Sequence, residues 1–287
     1  MRARLRILHV SILALGAAFG SQRAAFAAEA AGPPPAPAPD TKSPAAPHDA
    51  GTALFIVGAE YEVGGRRVGY TDLVIENLRT YDVMGAPVLA LSAEVYPAAR
   101  SKLPVLRDIG VVLGYAGAVG LDASLPDGTT MGTSWHRAEA ALRGRLRIGD
   151  KPSAPLVMVS AGYAFASFVF KAPDSFAAQV PSVTYHSLRF GADGRVPLGP
   201  VALRAGAGYR LPLSAGALLE RFRDGSAGGI DLMLGVAVPI AKGFEARAGA
   251  EYTRYFYSFF PNPGDPYIAG GALDEYVGIK IGAAYVH

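Results

Sequence analysis

The sequence predicts an all-β chain, an antiparallel up-and-down meander of about ten strands. Three observations predict it. From residue 53 onward apolar and polar residues alternate with period two, segment after segment. The connections between these segments alternate between long and short along the whole chain. The composition, 51% hydrophobic and 18% charged against roughly 25% charged in ordinary soluble domains, is membrane-like. Yet beyond the first residues no apolar stretch reaches the roughly 20 residues that a spanning helix needs. The nearest, IGVVLGYAGAVGL (109–121), is broken by glycines.

The chain opens with MRARLRILHVSILALGAAFGSQRAAFA, a basic head, an apolar run from Ile7 to about Gly20 and an A-x-A site at Ala25-Phe26-Ala27. This is the pattern of an export signal peptide spanning 1–27, cleaved after Ala27. Residues 28–52 follow, with seven prolines between Pro33 and Pro47 and alanines between them. Such a segment forms an extended polyproline II tether with no core. Residues 53–287 make the body.

The formal charge of +3 overstates the basicity. Without Arg2, Arg4, Arg6 and Arg23 of the leader, the chain is near neutral, and a nucleic acid or other polyanion has nothing to bind. There is no cysteine, which excludes disulfides, a thiolate metal site and a lipoprotein anchor.

The strands follow in order. Residues 53–63 set Phe55, Val57, Ala59 and Tyr61 against Glu60 and Glu62. Residues 87–97 set Leu89, Leu91, Ala93 and Val95 against Ser92 and Glu94. The third segment, roughly 107–122, is small and apolar on both faces. In the fourth, 133–149, Arg137, Glu139, Arg143, Arg145 and Arg147 share one face and Ala138, Ala140, Leu142, Leu146 and Ile148 the other. The fifth, 155–170, opposes Val157, Val159, Ala161, Tyr163 and Phe165 to Ser160, Gly162 and Ala164. The sixth, about 184–197, opposes Leu188, Phe190 and Val196 to Arg189, Asp193 and Arg195. The seventh, 201–211, carries Arg204 and Arg210 opposite Val201, Leu203, Ala205, Ala207, Tyr209 and Leu211. The eighth, 229–239, carries Asp231 opposite Ile230, Leu232, Leu234, Val236 and Val238. The ninth, 244–260, sets Glu245, Arg247 and Glu251 against Phe244, Ala246, Ala248, Ala250 and Tyr252. The tenth, 273–287, sets Tyr276 and Lys280 against Val277, Ile279, Ile281, Ala283 and Tyr285.

Long connections fall near 64–86, 123–133, 171–183, 212–228 and 259–272, and short ones at 149–154, 198–200 and 241–243, with a somewhat longer one near 97–107. A meander with its long loops on one side has this pattern, and an even strand number brings both chain ends out on the short-turn side.

Together with the leader, this pattern resembles the bacterial outer-membrane β-barrels over residues 53–287. The resemblance implies a membrane-spanning antiparallel up-and-down β-barrel with short periplasmic turns, long outer loops, an apolar exterior and aromatic girdles. Residues 28–52 then become a periplasmic linker, with cell-wall contact one use for it, and outer-membrane lipids surround the wall. The family ends in a strand that the barrel-assembly machinery reads. Here Ile279, Ile281, Ala283 and Tyr285 keep the alternate register, while His287 stands in the place usually held by Phe. The aromatics of TRYFYSFF (253–260), with Phe168 and Phe170, are expected at headgroup depth.

The same parity assigns an interior charge network: Glu60, Glu62, Glu94, Arg137, Glu139, Arg143, Arg145, Arg147, Arg189, Asp193, Arg195, Arg204, Arg210, Asp231, Glu245, Arg247, Glu251 and Lys280. The signs nearly balance, which favours paired charges filling the interior over a ring that selects one ion. Eight-stranded barrels are filled by side chains and open channels appear at about 16 to 18 strands, so ten strands imply a narrow or occluded lumen. The expected role is structural or surface-interacting, carried by the outer loops. A narrow solute or ion channel is the alternative, a barrel enzyme at the outer rim a third reading, and a soluble β-sandwich the competing fold. Ser134, His136 and Asp193 are hydrolase residue types without a triad order, and His48, His136, His186 and His287 have no metal-ligand spacing. No catalytic residue, cofactor or metal is assigned, and the sequence names no extracellular ligand. N-terminal sequencing of the membrane-inserted protein should begin at Ala28; a chain that retains Met1 overturns the leader assignment.

Overall fold

The computed structural model describes residues 49–73, 78–124, 130–151, 153–171, 182–222, 224–241 and 243–287. The predicted leader and the linker up to residue 48 lie outside the described residues, as do parts of the long connections.

The described residues form eleven strands: β1 (Phe55–Thr71), β2 (Tyr81–Val95), β3 (Ile109–Ala118), β4 (Asp122–Ser124), β5 (Thr130–Arg147), β6 (Leu156–Phe170), β7 (Val183–Leu198), β8 (Val201–Ser214), β9 (Ser226–Ala241), β10 (Phe244–Ser258) and β11 (Gly271–Val286). All pairings are antiparallel between neighbours, and β1 pairs with β11 from Ile56↔Val286 to Thr71↔Gly271. The short β4 pairs only with the start of β5, while β3 pairs with β5 directly and completes the ring. The result is a closed ten-stranded up-and-down barrel.

Parity sorts the side chains. On β10, Glu245, Arg247, Glu251, Tyr255 and Tyr257 point inward; Ala246, Ala248, Ala250 and Tyr252 point out. The outer wall carries no second layer, so Leu234 (65% exposed), Ile279 (68%) and Ile281 (65%) are left for a non-aqueous solvent. From Phe244 to Tyr252 the apolar face of β10 rises about 20 Å along the axis, at about 3.3 Å per residue and a tilt of about 40°. That is close to the apolar band of about 25 Å that such barrels present to lipid. One ring position higher, Arg254 and Glu275 face out 3.9 Å apart, and the Tyr252 hydroxyl donates to Glu275 at 2.5 Å. At the other edge Phe55, Phe244 and Tyr285 meet with ring centroids 6.0 and 4.9 Å apart, and the His287 ring stacks on Phe55 at 4.9 Å.

Two expectations need correction. The first strand does not end at residue 63: β1 runs to Thr71 and β2 starts at Tyr81, which shortens the first loop. Gly64-Gly65-Arg66-Arg67 reads as a break in sequence, but a bulge at Gly85, whose φ of 85° suits glycine, keeps the two strands paired past it. Likewise the third segment breaks after Ala118, and Leu106–Asp108 form a 3-10 turn ahead of it. The aromatics expected at headgroup depth are mostly inside. Phe168, Phe170, Tyr255, Tyr257 and Phe259 are buried, and only Phe256 and Phe260 of the TRYFYSFF stretch face out. Near a strand end, residue type does not distinguish an interfacial ring from a luminal one; parity does.

Three register shifts occur, between Gly64 and Gly65, between His186 and Ser187, and between Phe244 and Glu245. Pro87, Pro212 and Pro239 pair immediately beside them. A proline cannot donate to a ladder, and a bulge is where that donor is not missed. Because Leu234 lies midway up the outer face of β9, Leu234→Arg should destabilise the lipid-folded barrel by about 2–4 kcal/mol. Reversible unfolding from lipid vesicles measures this, and a loss below about 1 kcal/mol would place that wall in water.

Candidate functional site in the barrel interior

The interior is built in three storeys. At the short-turn end, residues 49–54 cross the mouth. The Leu54 amide donates to the His287 carbonyl at 2.6 Å, and Ala50 and Ala53 pack with Ile56, Leu156, Ala284 and Val286. Arg145 gathers this mouth. Its Nη1 donates to the Ala50 and Ala53 carbonyls at 3.0 and 2.8 Å, its Nε reaches Asp108 at 3.2 Å, and its guanidinium lies 3.8 Å over the Tyr96 ring. Arg147 pairs with Asp49. The Tyr96 hydroxyl donates to Glu94 at 3.1 Å, and burial together with that carboxylate pushes the Tyr96 phenol up. Just inside, Glu245 accepts from Arg195 at 2.7 and 3.1 Å and from Arg247 at 2.5 and 2.8 Å.

The middle storey is a mesh of ion pairs around open space. Arg143 bridges Glu94 (3.1 Å) and Asp193 (2.8 Å); Arg189 bridges Glu139 (3.0 Å) and Asp231 (2.6 Å). Arg210 also holds Asp231, at 2.7 Å. Arg137 holds Glu62 at 2.5 Å and lies 3.9 Å from Glu251, which Lys280 meets at 2.6 Å. Lys280 also lies 3.7 Å from Glu62 and 4.0 Å from Glu60. A cavity of about 280 Å³ lies among Glu60, Glu94, Arg143, Arg204 and Arg247, and a smaller one of about 110 Å³ beside Arg210 and Asp231. Arg204 stands apart: it faces the larger cavity with no hydrogen bond and no carboxylate within ion-pair distance among the described residues.

The loop end is closed by a stopper that the sequence reading missed. Arg66 and Asp274, both with side chains 0% exposed, make a two-pronged pair with 2.9 Å contacts. Tyr185 and Tyr276 donate to the same Asp274 oxygen at 2.6 and 3.1 Å, and the Tyr257 hydroxyl bonds that of Tyr185 at 2.6 Å. The Arg66 guanidinium lies 4.4 Å over Phe168, Tyr185 stacks on Tyr255 at 3.8 Å, and Trp135 sits 5.7 Å from Tyr276. In the loop beyond, α1 (Ala217–Arg221) buries Leu218, and Phe222 stacks on Phe259 at 3.8 Å. The signal for this stopper was present. Arg66 shares the parity of Glu60 and Glu62, and Asp274 that of Tyr276 and Lys280. The pattern was cut short at the Gly64-Gly65 pair.

The candidate hydrolase residues are not brought together. Ser134 and His136 stand on the outer face of β5, where His136 Nδ1 lies 2.9 Å from the Tyr115 hydroxyl, while Asp193 is inside. His186 is likewise outside, bonded to Tyr163.

No protein-family model matches the sequence, and no curated protein matches it. Among solved structures the chain is similar to Neisserial surface protein A, with 9% identity over 82% of this chain and 98% of that one and a TM-score of 0.35. It is also similar to the translocator domain of the autotransporter NalP from Neisseria meningitidis, with 12% identity over 80% and 88% and a TM-score of 0.38. The attachment invasion locus protein Ail of Yersinia pestis gives 8% identity over 80% and 98%, with a TM-score of 0.26. These likenesses add nothing to the closed ring and apolar wall described above.

Breaking one side of the stopper's ion pair leaves a buried charge without its partner, which costs about 3–5 kcal/mol, whereas replacing both sides with apolar groups is close to neutral. Asp274→Ala should therefore lower the urea midpoint sharply and Arg66→Met/Asp274→Leu should recover most of it. The single tryptophan, Trp135, reports both by its fluorescence. Equal losses in the two variants would show that the pair itself stabilises the fold.

Proposed function

We propose that this bacterial outer-membrane β-barrel is a stoppered scaffold, with a structural or surface-interaction role carried by the long loops at one end of its ring. The single observation that supports this reading is the loop-end stopper, where a fully buried Arg66–Asp274 pair is wrapped by Tyr185, Tyr276, Tyr257 and Phe168. Solute passage along the axis requires that these groups separate and that the charges lose their partners. The mouth at the other end is crossed by residues 49–54 under Arg145. Conduction thus needs two independent rearrangements.

The interior charge network fits the same reading. Its pairs fill and brace the lumen, and nearly every one of its cations faces a carboxylate. The work of the protein falls on its loops and not on a catalytic constellation. Residues 28–52 would give the barrel a periplasmic tether able to reach the cell wall. The outward register of Ile279, Ile281, Ala283 and Tyr285 on β11 suits recognition by the barrel-assembly machinery. The narrow-channel reading draws support from the cavity of about 280 Å³ between the stoppers, a ready vestibule once they open.

Planar-bilayer recording from the purified, folded protein separates the two. The scaffold reading expects a silent membrane at moderate voltage. Steady, single-sized current steps from the wild-type barrel would overturn it in favour of the channel.

A further inference from the structure

Among the described residues one interior charge, that of Arg204, has no protein partner, and its surroundings make that costly. Arg204 on β8 lies directly opposite Arg195 on β7, a like-charged pair on one face of an antiparallel ladder, which is destabilising by itself. Arg247 on the next hairpin is the third arginine of the group. Glu245 serves the other two and is already saturated: Arg195 gives it two hydrogen bonds and Arg247 another two. Arg204 receives nothing from it. Glu60 and Glu94 across the cavity are the other acidic groups that Arg204 senses, and neither comes within 4.0 Å of it. Glu94 is held by Arg143 and Tyr96. Of Arg195, Arg204 and Arg247, Arg204 is thus the one that Glu245 leaves unpaired, while Glu94 and Asp193 are taken by Arg143.

The arrangement is also open where a ligand would need it. The larger cavity, about 280 Å³, is bordered by Arg204, Arg195 and Arg247. That is room for about nine waters, at about 30 Å³ each in the liquid, and so ample for a small polyatomic anion with its hydration. Facing positions beside it are small: Arg204 pairs across the ladder with Gly235, and Gly206, two residues along on the same face of β8, pairs with Asp193. The five N–H donors of the Arg204 guanidinium form a rigid fork that matches two oxygens of a carboxylate or phosphate.

We propose that the barrel interior holds a small oxyanion, of the carboxylate or phosphate class, bound by Arg204 with the help of Arg247 and Arg195. The anion supplies counter-charge that the chain omits and turns a repulsive arginine cluster into a hydrogen-bonded layer just inside the short-turn mouth, neutral with a phosphate dianion and left with one positive charge with a monocarboxylate. This site does not depend on whether the barrel conducts.

The test uses the full mature chain, refolded in detergent with inorganic phosphate present so that entry past the stoppers is not required. After excess ligand is removed, phosphate retained per folded barrel is assayed, and the thermal midpoint is followed against phosphate at constant ionic strength. Acetate is run in parallel to separate the two oxyanion types. The expected result is about one anion retained per barrel and a midpoint that rises with its concentration. In Arg204→Gln, retention should fall at least tenfold while the heat-modifiable band of the folded barrel persists. Absence of retained oxyanion in the wild-type barrel, or a midpoint that does not move with phosphate at constant ionic strength, overturns the proposal even if Arg204→Gln fails to fold. Equal retention in wild type and Arg204→Gln overturns it as well.

Discussion

Backbone pairing without an edge is the constraint on which everything else depends. In hydrocarbon an amide or carbonyl without a protein partner costs several kcal/mol, so a sheet can cross a bilayer only if its first and last strands meet. Here β1 and β11 meet over the whole length of both strands, and β3 with β5 completes the ring where β4 falls outside it. Once the ring is shut, the outer wall needs no second protein layer and the inner wall is cut off from lipid. Period-two alternation then has two different solvents to answer, lipid outside and a confined polar space within.

The confined space explains the interior chemistry. Buried charges are tolerated only when paired, and the pairs themselves contribute little net stability because desolvation offsets most of their attraction. Their effect is to make each position depend on several strands at once. Arg143 ties β5 to β2 and β7, and Arg189 ties β7 to β5 and β9. A strand that slipped by one residue would turn these charges into lipid, so the mesh fixes register as well as filling space. Small residues accommodate it. A β-carbon at Gly278 would strike the Glu62 carboxylate, and one at Gly208 would strike that of Asp231.

The two ends are closed by different means. The short-turn mouth uses polar capture of the chain itself, with Arg145 hydrogen-bonded to two carbonyls of residues 49–54. The loop mouth uses aromatic mass around one ion pair, with hydroxyls of Tyr185 and Tyr276 directed at Asp274. The first closure draws on the segment that leads into β1. The second draws on six different strands, which is why no single stretch of sequence announces it.

The sequence by itself determined the strand class, the face of each strand and the side on which its loops lie, because parity and turn spacing are local properties of the chain. It also placed Glu245 and Arg247, or Arg189 and Asp193, on one face, since residues two apart on a strand must share a side. It did not determine which charges meet. Arg66 and Asp274 are separated by nearly the whole barrel in sequence and become neighbours only because β1 closes on β11. Nor did it reveal that Arg204 would be left opposite Arg195 with the neighbouring carboxylate, Glu245, already taken. Those outcomes depend on cross-strand register and on the curvature that brings distant walls together, and both exist only once the ring has closed.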